Sequence, residues 1–510
     1  MMKRFLSALL CACLIVPLAG CAGEEQGPPQ DLLYSSAPIQ FNSEPDREEL
    51  SSESPEPEEN RVESSSSAVQ ASSSQTQSSS SSAVSSRPQS PSSAVSSSSQ
   101  AASQSSSSRP VSQSSSSQPV SQSSSSQSSS SPRPSANNSV TAPSGELRAV
   151  WFSYLDLASM IKQKSRSEFE SAISKAFSRV AEDGYNTVFV QVRPFGDALY
   201  SSELFPWSYT LTGKEGGNPG YDPLQIVIEQ AHARGLAVEA WVNPYRIRNG
   251  SNGSQPLSSD NPAADWLDSG SDAVIKYGGG IYYNPGSAKA REHIVAGVEE
   301  IVRNYDVEGI HFDDYFYPTT DSTFDADTYA DYKAGGGKLS LGDWRRSNVD
   351  QLVRTVYSTI KSLDSSVRFG ISPQGNTSIN YSEQYIDVEE WLSNPGYVDY
   401  ICPQVYYGFE NDTCPFAATV AEWNSLIRRN DIDLYIGISA SKIGLVDQWA
   451  GSGKNEWMEN DDMLVRMVAE ARKSRHYSGF CMYSYRSLYA PAAAVADQVE
   501  QEKEALSELM

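Results

Sequence analysis

The chain has 510 residues and carries 63 Asp and Glu against 39 Lys and Arg, a net charge of −24. Residues beyond Glu146 hold 50 of those acids and 32 of the bases, a net −18. Such a surface repels a phosphate backbone and excludes nucleic acid as an expected partner. Neutral or zwitterionic polymers, held by rings and hydrogen bonds, stay open.

Residues 1–20 combine Lys3 and Arg4 with an apolar run from Phe5 to Leu18, which is a secretory signal too short for a stable membrane span. It ends in Leu18-Ala19-Gly20-Cys21, a sequence that resembles a bacterial lipobox. The expectation is lipidation at Cys21, hence a membrane anchor of lipid on the extracytoplasmic face. Residues 21–145 are Ser, Gln, Pro and Ala with an acidic opening between Glu44 and Glu63. They cannot bury enough apolar surface to offset the entropy of ordering, so a disordered tether is expected, with a reach on the order of 60 Å as a flexible coil. Of six cysteines, Cys402, Cys414 and Cys481 remain beyond the tether. An odd number implies at least one free thiol. A Cys402 to Cys414 bridge is disfavoured because Cys402 falls inside a predicted strand.

Residues 146–510 read as alternating strands and helices. Strand one is Leu147 to Ser153, followed by a helix over Ser167 to Glu182 with Phe169, Ile173, Ala176, Phe177 and Val180 on one face. Strand two, Asn186 to Arg193, places Phe189, Gln191 and Arg193 in one phase. A helix over Pro223 to Arg234 leads to strand three, Leu236 to Asn243, which groups Glu239, Trp241 and Asn243. After a long insertion come a helix over Ala288 to Asn304 and strand four, where His311 and Asp313 alternate with Ile310 and Phe312. Trp344 to Leu363, Val367 to Ser372, Asp387 to Leu392 and Val398 to Tyr406 give helix, strand five, helix and strand six. Phe416 to Arg429, Asp433 to Ser439, Asp462 to Arg475 and Gly479 to Ser484 supply the remaining helices and strands seven and eight. Eight such units predict an α/β fold, a closed (β/α)8 TIM barrel. An open doubly wound sheet is the alternative, but no Gly-rich phosphate loop follows strand one.

Active residues of a barrel lie at the C-terminal ends of its strands. That mouth is expected to collect Arg193 and Asp197; Trp241, Asn243 and Tyr245; Asp313 and Asp314; Gln374; and Gln404 and Tyr406. Rings stack on sugar faces and planar groups bind hydroxyls, so the collection suits a carbohydrate. Glycoside hydrolysis needs a proton donor and an opposing base or nucleophile. Asp313 is expected as the principal catalytic carboxylate and Asp314 as its partner. Adjacent residues diverge, so a further carboxylate is sought from Asp197, Glu239 and Glu410. Glu239 and His311 lie lower in their strands and read first as core polar groups that satisfy one another or Arg193. No metal or other cofactor is expected: Asp321, Asp325, Asp327 and Asp331 lack the Gly and terminal Glu of an EF-hand loop and read as a solvated acidic loop.

Arg148-Ala-Val-Trp-Phe, Gly184 to Tyr200, Glu239-Ala-Trp-Val-Asn-Pro-Tyr-Arg246, Gly309-Ile-His-Phe-Asp-Asp-Tyr-Phe-Tyr-Pro318, Gly370-Ile-Ser-Pro-Gln-Gly375 and Pro403-Gln-Val-Tyr-Tyr407 resemble the signature blocks of the glycosyl hydrolase-like 10 family. The resemblance implies a TIM-barrel glycosidase of the bacterial envelope, in a family that includes a lipoprotein cleaving peptidoglycan glycan strands stripped of their stem peptides. It also implies that Asp313, Asp314, Asp197, Arg193, Asn243 and Gln404 line the active cleft. Glu239 stands where the family often has His. Strand four is similar as well to the family-18 chitinase signature, with Tyr315 at the position of its Glu proton donor. The expected partner is a cell-wall glycan acted on by a monomer. A catalytically silent barrel that only binds wall polysaccharide, or a glycosidase for another polysaccharide, is the alternative.

Overall fold

The computed structural model describes residues 140–250 and 256–510. The predicted signal, the lipidation at Cys21 and nearly all of the predicted tether lie outside the described residues. Eight parallel strands close into a barrel: β1 (Leu147–Phe152), β2 (Thr187–Arg193), β3 (Ala237–Val242), β4 (Gly309–Phe312), β5 (Arg368–Ile371), β6 (Tyr400–Ile401), β7 (Asp433–Ser439) and β8 (Tyr477–Tyr483), each hydrogen-bonded to its neighbour in sequence order and β8 to β1. The intervening main helices are α1 (Arg166–Glu182), α2 (Pro223–His232), α3 (Ala288–Asn304), α4 (Leu341–Leu363), α5 (Val388–Ser393), α6 (Phe416–Leu426) and α7 (Met463–Ala471), with α8 (Ala496–Ser507) after β8.

Local chemistry sets the helix ends. Ser165 caps α1 by accepting from the amide of Glu168, whose carboxylate accepts from the Ser165 amide in return, satisfying two orphan donors. Asp222 caps α2, with Pro223 in the first turn where its missing donor costs nothing. The helix α8 had no counterpart in the sequence reading. Its Glu502 accepts from the amides of Met463 and Leu464 and caps α7 from outside.

Strand alternation divides the apolar residues into two separate cores. One phase, including Val150, Val188, Val190, Val238, Ile310 and Ile436, packs outward against the helices. The other fills the lumen with Leu147, Ala149, Trp151, Phe189, Trp241, Tyr400, Cys402, Tyr406, Tyr435 and Cys481. The three cysteines beyond the tether are all free thiols.

The structure departs from the sequence expectation in three places. Strand six was expected to run from Val398 to Tyr406, but only Tyr400 and Ile401 pair as a ladder. Pro403 has no amide to donate, and beyond it Gln404 makes isolated bridges to Gln374 and Gly437. The long insertion after β3 contains an antiparallel sheet of Arg246–Arg248, Gly280–Tyr283 and Val274–Tyr277. Nor is the acidic loop simply solvated: Asp325 is buried and pairs with Arg345 at 2.6 Å.

Glycines on two strands make room for large lumen groups. A Cβ at Gly309 would lie 1.9 Å from Glu239 Oε2, and one at Gly370 would lie 2.1 Å from the Tyr400 ring. Gly309→Ala should therefore lower unfolding stability in urea by about 1–3 kcal/mol, the usual range for overpacking. Adding Glu239→Ala should recover part of that loss, whereas Glu239→Gln, of equal bulk, should not.

Candidate active site

β3 and β4 run in register, with Glu239 opposite Gly309 and Trp241 opposite His311. Continuing the same phase, Asn243 and Asp313 stand one layer above the strands, at the mouth. Asp313 is held from three directions: Asn243 Nδ2 donates to Oδ2 at 2.6 Å, Trp241 Nε1 donates to the same oxygen at 3.2 Å, and the Tyr315 amide donates to Oδ1 at 3.1 Å. Asn243 is fixed in turn by Gln191 Nε2, which donates to its Oδ1 at 2.6 Å, and Gln191 accepts from the Tyr154 amide at 2.8 Å.

Asp314 turns toward the other side of the mouth. Gln404 Nε2 donates to it at 3.2 Å and to the Ser372 carbonyl at 3.0 Å, and the amides of Gln384 and Gln374 also act on its carboxylate. Asp314 is 8% exposed and Asp313 2%, so Asp314 is the one solvent reaches more readily. Burial first, and then the neighbouring charge of Asp314, pushes Asp313 up to about 7, against the pull of Arg246. Burial also raises Asp314, opposed by its glutamine donors. Two like charges so close cannot both ionise readily, so near neutrality the pair shares a proton.

The walls are aromatic. The guanidinium of Arg246 lies 4.4 Å from the centre of the Tyr315 ring and 4.8 Å from that of Phe195, and its Nε donates to the Pro194 carbonyl. Tyr406 stacks on Tyr483 at 5.6 Å and meets Trp151 edge-on. Beneath them a polar relay crosses the lumen: Trp151 Nε1 donates to His311 Nε2 (3.3 Å), His311 Nδ1 lies 3.0 Å from the Tyr400 hydroxyl, and that hydroxyl donates to Glu239 Oε2 at 3.0 Å. Burial pushes His311 down to about 3, so the ring is neutral and carries its proton on Nδ1.

Of the residues expected at the mouth, Asp313, Asp314, Trp241, Asn243, Gln374, Gln404 and Tyr406 are brought together there or directly beneath. Four are not. Glu239 sits two layers below Asp313, buried in the lumen and bonded to Tyr400; it meets His311 only through that hydroxyl and does not meet Arg193. Arg193 follows a register shift between β2 and β3, a bulge that re-aims the side chain, and it packs over the Phe205 ring at 4.4 Å. Asp197 accepts from the Tyr209 amide at 3.1 Å and lies near the buried pair formed by Arg248 and Glu215. Tyr245, past Pro244, turns into the helical shell against Phe316. Glu410, the further candidate, is exposed on the loop before α6. Sequence reasoning missed Arg246, Tyr315, Gln384 and Gln191. Gln191 had a signal, since it shares the phase of Phe189; Tyr315 and Gln384 lie in loops and Arg246 opens a three-residue strand of the insertion, too short for any periodicity to mark it.

A carboxyl pair sharing one proton, set among amides and rings at the mouth of a parallel barrel, can protonate a sugar oxygen, and the protein is a glycoside hydrolase. The chain belongs to the glycosyl hydrolase-like 10 family, whose model matches residues 146–459. It is 34% identical over 376 residues to the glycosyl hydrolase YngK of Bacillus subtilis (strain 168), covering 69% of this chain and 71% of that one. To the glycosyl hydrolase DigH of Escherichia coli (strain K12) it is 38% identical over 288 residues, covering 51% of this chain and 63% of that one.

Two titrations check this electrostatic picture. Asp314→Asn removes the neighbouring charge, so Asp313 should titrate below about 7 when its carboxyl carbon is followed by NMR; an unmoved midpoint would leave burial as the sole cause. Burial likewise raises Glu239 from 4.5 to about 8, so the folded protein keeps a proton that the unfolded chain releases. The resulting stability is whole below pH 4.5 and is lost as pH rises to about 8. Glu239→Gln should flatten the fall of Tm across that window in calorimetry.

Proposed function

We propose that the protein is a lipid-anchored, extracytoplasmic, monomeric glycoside hydrolase that cleaves N-acetylated cell-wall glycan strands, with peptide-free peptidoglycan strands as its substrate class. The observation that carries the catalytic part is the pair of adjacent buried carboxyl groups, Asp313 and Asp314, held at the barrel mouth by Asn243, Trp241 and Gln404. The anchor and location rest on Leu18-Ala19-Gly20-Cys21 and the Ser-rich residues that follow. The substrate class rests on the family resemblance.

In this reading Asp314, the more exposed of the two, donates its proton to the glycosidic oxygen as the bond to the anomeric carbon breaks. When the pair's one proton sits on Asp314, Asp313 is the ionised member, and its three donors keep it aimed at the positive charge that develops. Glu239 and Asp197 are both sealed from solvent, which favours attack on the anomeric carbon by the carbonyl oxygen of the substrate's own acetamido group. Water then opens the resulting oxazolinium ring, giving its hydroxyl to the anomeric carbon and a proton back to Asp314. Trp241 and Tyr483 supply ring faces beside the sugar, and Gln404 and Gln374 keep the acid oriented.

Purified full-length protein incubated with peptide-free glycan strands should release oligosaccharides visible by mass spectrometry. Asp313→Asn and Asp314→Asn should each lower kcat/KM by about 10²- to 10⁴-fold. The wild-type rate should fall as pH rises past about 7, where the shared proton is lost. Absence of products from wild type and both variants alike would leave only a wall-binding barrel.

A further inference from the structure

Outside the mouth, between β2 and the inserted sheet, lies a buried positive charge. Arg193 is 0% exposed, and its Nε, Nη1 and Nη2 have no hydrogen-bond partner among the described residues. The hydroxyls of Tyr200 and Tyr283 and Nε2 of His293 are buried and unpartnered in the same sense. Ring contacts join three of these residues: Phe205 lies under Arg193 at 4.4 Å and 4.6 Å from His293, which is 5.5 Å from Tyr283; Tyr200 acts on Arg193 and Tyr283 electrostatically.

Water can satisfy such donors but cannot neutralise a guanidinium, which stays charged at any pH a protein survives. Glu300 acts on Arg193 from a distance, with one oxygen accepting from the Glu203 amide at 2.6 Å and the other from Ser202 Oγ at 2.5 Å. No ion pair reaches Arg193 within 4.0 Å among the described residues. Asp197 also faces Tyr283, but burial lifts it to about 6. Burial pushes His293 down to about 4, so it adds no competing charge.

We propose that Arg193, Tyr200 and Tyr283 bind one small monovalent anion, a halide of the size of chloride, in the interior beneath the inserted sheet. The site is linked to the carboxyl pair through backbone. The Arg193 carbonyl accepts from the Asn243 amide at 2.9 Å, and the Pro194 carbonyl accepts from Arg246 Nε at 3.2 Å. Asn243 and Arg246 are the groups that hold and pull on Asp313, so the anion fixes the segment that presents both.

The test needs no activity. Tm of the full-length protein should rise with concentration of sodium chloride or bromide compared with sodium gluconate at equal ionic strength and pH. Crystals grown in bromide should show an anomalous peak between Arg193 and the two hydroxyls. Tyr283→Phe should shift the halide dependence of Tm to higher concentration, and Arg193→Gln should remove it. Equal Tm in all three salts, or bromide found only at the surface, would overturn the proposal; the wild-type comparison decides the matter even where Arg193→Gln does not fold.

Discussion

Burying two adjacent carboxyl groups at the end of β4 is the constraint around which the barrel is arranged. Raising Asp313 from 3.8 to about 7 corresponds to a penalty on its ionised form on the order of 4 kcal/mol relative to water. That figure already includes the lowering by donors such as Trp241 and Tyr315, and a proton held on Asp314 removes the repulsive part of it while the burial part remains. A carboxyl pair in water would be fully ionised and useless as an acid at neutral pH. Enclosure by apolar strands, with a few aimed N–H groups, keeps one proton available.

The lumen below makes that enclosure rigid. A chain of hydrogen bonds runs through it from Trp151 through His311 and Tyr400 to Glu239. Arg368 lies over the Tyr400 and Tyr435 rings and pairs with Asp433. A buried network of this kind is costly when incomplete and fixes orientation when complete. Gly309 and Gly370 belong to it as much as the side chains they accommodate. The Trp241 ring, whose nitrogen grips Asp313, packs edge-on against His311, so the position of the catalytic floor depends on these lower layers.

Most of the fold could be read from periodicity, because a parallel strand covered by helices must send one phase outward and the other inward. That logic placed Trp241, Asn243 and Asp313 on the same side of adjacent strands, where the structure has them. Gln374 and Gln404 were also legible, since both follow short apolar runs. The logic failed where a strand stops being regular. Arg193 continues the phase of Gln191 by counting, but a register shift intervenes. Tyr245 continues the phase of Asn243, but β3 has already ended at Val242. Strand six was overextended because a count of apolar residues does not register the missing amide of Pro403.

The failures at Arg193 and Tyr245 share a location, and that location has its own physics. Arg193, Asp197 and Arg248 lie where the chain leaves β2 and β3 and meets the inserted sheet, and here charged groups are buried where an apolar surface would have been cheaper to dry. Arg248 and Glu215 pair at 2.6 Å with almost no exposure, and Glu215 also accepts from Asn261 and the Ser258 amide. Replacing such a pair by apolar groups of the same volume often stabilises a protein, whereas an unpaired partner strongly destabilises it. A directional lattice of this sort tolerates only one seating of the insertion on the barrel. Because the same segment presents its carbonyls to Asn243 and Arg246, the seating of the insertion and the setting of Asp313 are mechanically one problem, solved with polar contacts where the rest of the barrel uses hydrophobic ones.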